Sequence, residues 1–258
     1  IRAEWQPGDS LLTMNTPAAE LYLGQVDGFT VQNEADQFLL NQNGVPVDRW
    51  LGAPWVGAAD GFSAVLDEAS RTWFVIDTIR QPVYFRGNWQ AIVNSQLEPV
   101  WRGDNVLVYR TRPDRVPLVT EPAEPLEARF NNKVVLRGFS LDSVETEGGD
   151  PALEVVLFWQ PVAELADDYT VFLHLRNNRN EIVAQYDSQP LDGVYPTSQW
   201  QLGERVIDPI TVSLPADLPP GTYQLVTGLY QLDTLARIPV ANDTSGESVV
   251  VLKELTWP

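Results

Sequence analysis

The chain has 258 residues, enough for one large domain or two ordinary ones, and 44% of them are apolar, which suits a globular core. Its formal charge is -18, from 17 Lys+Arg against 35 Asp+Glu, so it lacks the basic face that nucleic acid or an anionic membrane surface would require. Cysteine is absent and one His is present, which removes disulfides, thiol nucleophiles, Cys-ligated zinc and nearly all soft metal ligands; no metal and no cofactor are expected.

No window approaches 18 uninterrupted apolar residues, so no membrane-spanning helix is expected. The sequence opens Ile1-Arg2-Ala3-Glu4, with neither an initiator Met nor a signal-peptide pattern, and reads as a segment of a longer protein. Twenty Pro and 17 Gly favour a turn-rich, β-heavy chain.

In chain order, Asp9 to Asn15 (DSLLTMN) predicts a strand. Thr16 is a candidate helix cap, Pro17 suits the first helical position and Gly24 ends the helix. FTVQN predicts a second strand. The stretch around Trp50 and Trp55, RWLGAPWVGAADGF, carries Pro54 and several glycines and predicts a long loop. Asp60 is a candidate cap for a helix with Phe62, Val65, Leu66 and Ala69 on one face, and Trp73 to Ile76 follow as a buried strand. NWQAIVNSQL predicts a short helix. EPVWRGDNVLVYRTR predicts a hairpin turning at Gly103-Asp104-Asn105. This alternation implies a small α/β layered domain over residues 1–115 with a partly parallel sheet.

Pro113 to Ala128 hold four prolines among charged residues and predict a semi-rigid linker at 116–128. Residues 129–258 carry successive strand patterns separated by turns, the signature of an antiparallel β-sandwich of jelly-roll or Ig-like type. In DYTVFLHL, Val171, Leu173 and Leu175 share a face with Tyr169, and Thr170, Phe172 and His174 share the other. Both faces are rather apolar, as a central strand requires.

The candidate ligand site is GVYPTSQWQLGE. Trp200, with Tyr195, could stack on a sugar ring while Asp192 and Thr197 bond its hydroxyls. The ordinary alternative makes Trp200 a plug at the end of the sandwich, with Thr197 and Ser198 satisfying turn amides. His174 would need an orienting carboxylate and a nucleophile to act as a base. Asp167, Asp168, Glu145, Glu147 and Asp208 are available acids, but spacing cannot pair them as glycosidase chemistry demands. DGVYP and NDTSG could offer oxygens to Ca²⁺, without a dense ligand pattern. The turn Thr16-Pro17-Ala18 has no glycine to cradle phosphate, although Asn15, Thr16 and Asp77 fall where open α/β sheets take ligands.

FWQPVAELADDYTVFLHL, VAQYDSQP, GVYPTSQWQLGERVIDPITVSLPADLPPGTYQLVTGLY and ARIPV together resemble the β-sandwich at the C-terminal end of bacterial membrane glycosyltransferases of the GT-C class, glycosyltransferase family 39. These are similar to dolichyl-phosphate-mannose protein mannosyltransferases. WQPGDSLLTMNTPAAELYLG and RTWFVIDTIR resemble the segment that follows the last membrane helix in such proteins. The resemblance implies an extracytoplasmic, membrane-tethered position, with the membrane-embedded part of the parent chain as partner and a glycan or lipid-linked sugar nearby. Catalytic acids of that class lie in the membrane part, so none is carried over here. The expected role is accessory, in acceptor recognition or in bracing through Trp50 and Trp55. A secreted carbohydrate-binding module is the alternative, and a glycoside hydrolase ranks behind it.

Overall fold

A computed structural model describes residues 1–32, 34–57, 59–79, 88–113, 115, 119, 121–146 and 148–258. The chain divides into two compact units, Ile1–Leu118 and Val119–Pro258. Residues 116–118 and 120 of the expected linker, the acid Glu147 and the capping side chain of Asp60 lie outside what is described.

Unit 1 holds a five-stranded sheet in the order β2-β1-β5-β7-β6, formed by β1 (Asp9–Thr13), β2 (Gly28–Phe29), β5 (Arg71–Asp77), β6 (Leu97–Arg102) and β7 (Val106–Thr111). β1 runs parallel to β2 and β5, whereas β7 is antiparallel to β5 and β6. Successive residues of β1 point to opposite faces, so Leu11 and Leu12, both fully buried, begin separate cores. Leu11 packs with Trp73, Val108 and Ala19, the last from α1 (Thr16–Leu23). Leu12 packs with Phe62 and Leu66 of α2 (Ala59–Glu68) and with Trp89, Ile92 and Val93 of α3 (Asn88–Gln96).

The cap of α1 is Asn15, whose side-chain Oδ1 accepts from Ala18 N at 3.2 Å; Gly24 closes the helix at φ 73°. The expected cap, Thr16, is instead fully buried and donates its hydroxyl to Asp48 Oδ1 at 2.9 Å. That carboxylate also organises the stretch expected to be a long loop. It accepts from Trp50 N at 2.9 Å, Leu51 N at 3.1 Å and Ala53 N at 2.6 Å. A tight turn therefore follows the hairpin of β3 (Leu39–Gln42) and β4 (Val45–Asp48).

Unit 2 contains two four-stranded antiparallel sheets. One runs β13-β10-β9-β8, from β8 (Glu124–Phe130), β9 (Val134–Glu145), β10 (Pro151–Pro161) and β13 (Val206–Ser213). The other runs β12-β11-β14-β15, from β11 (Tyr169–Arg176), β12 (Ile182–Ser188), β14 (Gly221–Gln231) and β15 (Val250–Trp257). The antiparallel, β-rich character matches the expectation. The last residues of the expected linker do not, because Glu124 to Ala128 are already strand. Prolines are tolerated there since β8 is an edge, and its ladder breaks between Pro125 and Ala128. Edge strand β13 likewise carries Pro209.

Every side chain of β11 is buried. The face bearing Phe172, His174 and Arg176 is covered by the connection from β14 to β15. The Arg237 guanidinium sits 4.9 Å above the Phe172 ring and donates to Glu247 O at 2.8 Å. Glu247 in turn pairs with Arg176 at 2.6 Å. Opposite Phe172 in the ladder lies Gly228, where an added Cβ would fall 2.5 Å from the ring and 3.1 Å from Ser248 O. Gly228→Ala is therefore expected to cost about 1–3 kcal/mol through overpacking, measured by denaturant unfolding.

Candidate functional site

The loop from Gln189 to Glu204 decides between ligand grip and brace. Two consecutive residues, Leu191 (φ 56°) and Asp192 (φ 53°), are left-handed, a conformation costly for leucine. Leu191 N donates to Asp208 Oδ1 at 2.9 Å, which holds the turn in place. β13 alternates strictly, with Val206, Asp208, Ile210 and Val212 buried, so this carboxyl stands on the core-facing side of its strand. Burial pushes the Asp208 carboxyl up to about 7, against the lowering hydrogen bond from Leu191 N. Its Oδ2 and the indole N–H of Trp159 are both buried without a completed hydrogen bond.

The expected ligand residues separate. Thr197 is fully buried: its hydroxyl donates to Asp167 O at 2.8 Å and accepts from Tyr169 N at 2.9 Å. Trp200 is 7% exposed and donates its indole N–H to Tyr195 O at 3.0 Å. The Tyr195 hydroxyl lies 2.5 Å from Glu204 Oε1 and 3.1 Å from Gln199 O. Burial, then Glu204, push that phenol above its ordinary range. Asp192 remains at the surface, accepting from the Tyr186 hydroxyl at 2.7 Å. A sugar platform needs an open indole face, and this one is packed against the protein. The loop is a brace.

The other candidates are also occupied. His174 Nε2 lies 3.3 Å from Asp187 Oδ2, and its buried Nδ1 has no hydrogen-bond partner. Burial holds the imidazole below its ordinary value, against the pull of Asp187. In NDTSG, Asp243 Oδ1 accepts from Ser245 N at 2.8 Å and Oδ2 from Ser248 N at 2.7 Å, so both oxygens serve the turn. Asp77 Oδ1 accepts from Ile79 N at 2.9 Å. Among the described residues no group of three or more His, Asp or Glu side chains is placed to hold a metal.

Two other surfaces offer room for a partner. In unit 2, a groove of about 550 Å³ at one end of β11, β14 and β15 is lined by Asn177, Asn178, Gln224, Glu247 and Glu254 together with Val226 and Val251. Amides and carboxylates beside aliphatic side chains suit a polyhydroxylated ligand. In unit 1, the hairpin β3–β4 and the turn after it expose Leu40 (50%), Val45 (52%), Trp50 (50%) and Leu51 (48%). Trp50 rests on Phe38 and Phe29, with ring centroids 5.7 and 6.2 Å away. Trp55 is half-buried and donates to Val31 O at 2.8 Å, so it belongs to the fold more than to the surface.

No protein-family model and no curated protein matches the chain. Solved structures similar to parts of it include a Bacteroides fragilis protein described as a β-galactosidase, at 14% identity over 60% of this chain and 18% of that one, with a TM-score of 0.27. A Bacteroides uniformis β-glucuronidase matches at 11% identity over 53% of this chain and 18% of that one, TM-score 0.30. An endonuclease/exonuclease/phosphatase from Beutenbergia cavernae matches at 15% identity over 83% and 66%, TM-score 0.24. Likeness at this level transfers no activity.

Two measurements check the brace. Trp200→Ala should lose about 3–5 kcal/mol of unit 2 stability by denaturant unfolding, as a buried aromatic does. Asp208 binds its proton more tightly in the folded chain than in the unfolded one, so its contribution to stability is greatest below the unfolded value and falls as pH rises toward about 7. Asp208→Asn keeps an acceptor for Leu191 N and cannot ionise. Its melting temperature should therefore gain on the wild type between pH 5 and pH 8; equal pH dependence in the two proteins would refute the assignment.

Proposed function

We propose that the chain is a non-catalytic, extracytoplasmic region of a membrane glycosyltransferase-like protein. On this reading unit 1 is a small layered α/β domain and unit 2 an Ig-like sandwich with one extra N-terminal strand. The role is to brace the membrane-embedded part, or to hold an acceptor near it. The observation that supports the reading most directly is the apolar cluster of Leu40, Val45, Trp50 and Leu51 on one hairpin and its turn. Exposed apolar clusters of this kind mark contact with protein or lipid. Asp48 holds the turn rigidly, so the cluster is presented without an ordering cost on docking.

The chain has no native cysteine, so Leu51→Cys creates a unique attachment point for a photo-crosslinker. In the full-length protein, the label at position 51 is expected to capture a membrane-spanning segment of the same polypeptide. Trp50→Ser in the same background should abolish the adduct while the melting temperature of the 258-residue chain stays within a few degrees. A reading frame upstream of Ile1 without membrane spans, or an unchanged adduct in the variant, would overturn the proposal.

The groove of unit 2 favours a second reading, a secreted carbohydrate-binding module. That reading expects a signal peptide directly upstream, and oligosaccharide binding by the chain that Gln224→Ala weakens about tenfold, as loss of a buried hydrogen bond does.

A further inference from the structure

The chain has one histidine, and it lies on the face of β11 that residues 232–249 cover on their way from β14 to β15. His174 is 7% exposed, and its ring centroid is 4.7 Å from that of Phe172. The covering segment is tied back to β14 where Ile238 N donates to Leu229 O at 2.8 Å. It is tied to β8 where Ala241 N donates to Arg129 O and Asn131 N to Pro239 O, both at 2.8 Å. Between these ties it is clamped by charge. Glu247 accepts from Arg176 at 2.6 Å and from Asn180 at 3.2 Å, and Arg237 lies over Phe172.

The charges round the imidazole balance only while it is neutral. Asp187 of β12 lies 3.3 Å from Nε2, and Tyr230 of β14 bonds the same carboxylate. Arg176 acts on the ring from its own strand and Arg237 from the covering segment, with Glu247 paired to Arg176. From β15, Glu254 lines the same groove as Arg176. Two guanidinium groups are thus offset by Asp187 and Glu247, and a proton on His174 adds a charge to a closed site. Geometry adds a second penalty. With Nε2–H directed at Asp187, the incoming proton goes to Nδ1, which is buried and has no hydrogen-bond partner among the described residues. The nearby Arg176 Nε is likewise buried without an acceptor. A new N–H joins a site already short of acceptors.

We propose that residues 232–249 form an acid-released strap, in which protonation of His174 frees the segment from the sheet face. Local opening of this kind needs only the strap's own ties to break. Release carries away Asp243, Ser245 and Glu247, so the groove of unit 2 is complete only while His174 is neutral. The strap works this way whatever the groove takes up. Burial first, and then the two arginines, hold the imidazole below its ordinary value against the pull of Asp187. The folded chain therefore binds the proton less tightly than the unfolded one. The contribution of neutral His174 is present above about pH 6.5 and is lost as pH falls toward the lower folded value.

Because the imidazole is unique in the chain, its ring protons report its titration directly by NMR. The expected midpoint lies below the unfolded value of about 6.5. Amide exchange, corrected for its intrinsic pH dependence, reads the strap. Protection at Ile238 and Ala241 is expected to fall about tenfold between about pH 7 and about pH 5, while the amides of the β10–β13 ladder keep theirs. Asp208 titrates in the opposite sense and cannot mimic this loss. His174→Gln keeps a donor for Asp187 and cannot ionise, so it should abolish the loss. If that variant misfolds, the two wild-type measurements decide alone. An imidazole midpoint at or above the unfolded value overturns the proposal. So does unchanged protection at Ile238 and Ala241, an equal loss in the β10–β13 ladder, or the same loss in folded His174→Gln.

Discussion

A strand whose eight side chains are all buried needs a packed layer against each face, and unit 2 is arranged round that requirement at β11. One face, Tyr169, Val171, Leu173 and Leu175, meets the ordinary interior. The other holds Phe172, His174 and Arg176, two of them polar, and is closed by the chain returning from β14 to β15. The closure works because Gly228 leaves room for the Phe172 ring, while Arg237 and the Arg176–Glu247 pair clamp the returning segment. Burying an arginine is tolerable only with such a partner. The same closure occupies the sheet face that an open sandwich could offer to a ligand. Concave surface is left at the ends of the strands, where the amide-lined groove lies.

Much of this was legible from alternation. The doubly apolar pattern of β11 survives in the structure, because period-two burial is a local property of the backbone. For Trp200 the sequence left two readings open, a sugar platform and a plug, and only the buried position of the ring separates them. The failures share a different cause. β8 was hidden by prolines that signal a linker anywhere except at a sheet edge. The turn at Trp50 depends on Asp48, whose four hydrogen bonds reach from residue 16 to residue 53 and leave no periodic trace.

The loop at Leu191 shows how a polar group can serve a core-facing position. Asp208 occupies a site that alternation would give to an aliphatic side chain. Its acceptor oxygen holds a left-handed leucine that would otherwise relax, and the turn it steadies carries Tyr195 and Trp200 into the interior. The cost is a carboxyl with one oxygen unsatisfied in a dry environment. Geometry of the turn and protonation of the core are thereby tied to one residue.

The outer strands of the first sheet of unit 2 have a further consequence. Each unpaired strand margin is a template on which another polypeptide could add. Pro209 removes an amide donor midway along β13, and the interrupted ladder at Pro125 breaks the repeat along β8. A second copy meeting either margin finds no continuous row of donors and acceptors. Strand-on-strand addition at these two margins is thereby disfavoured.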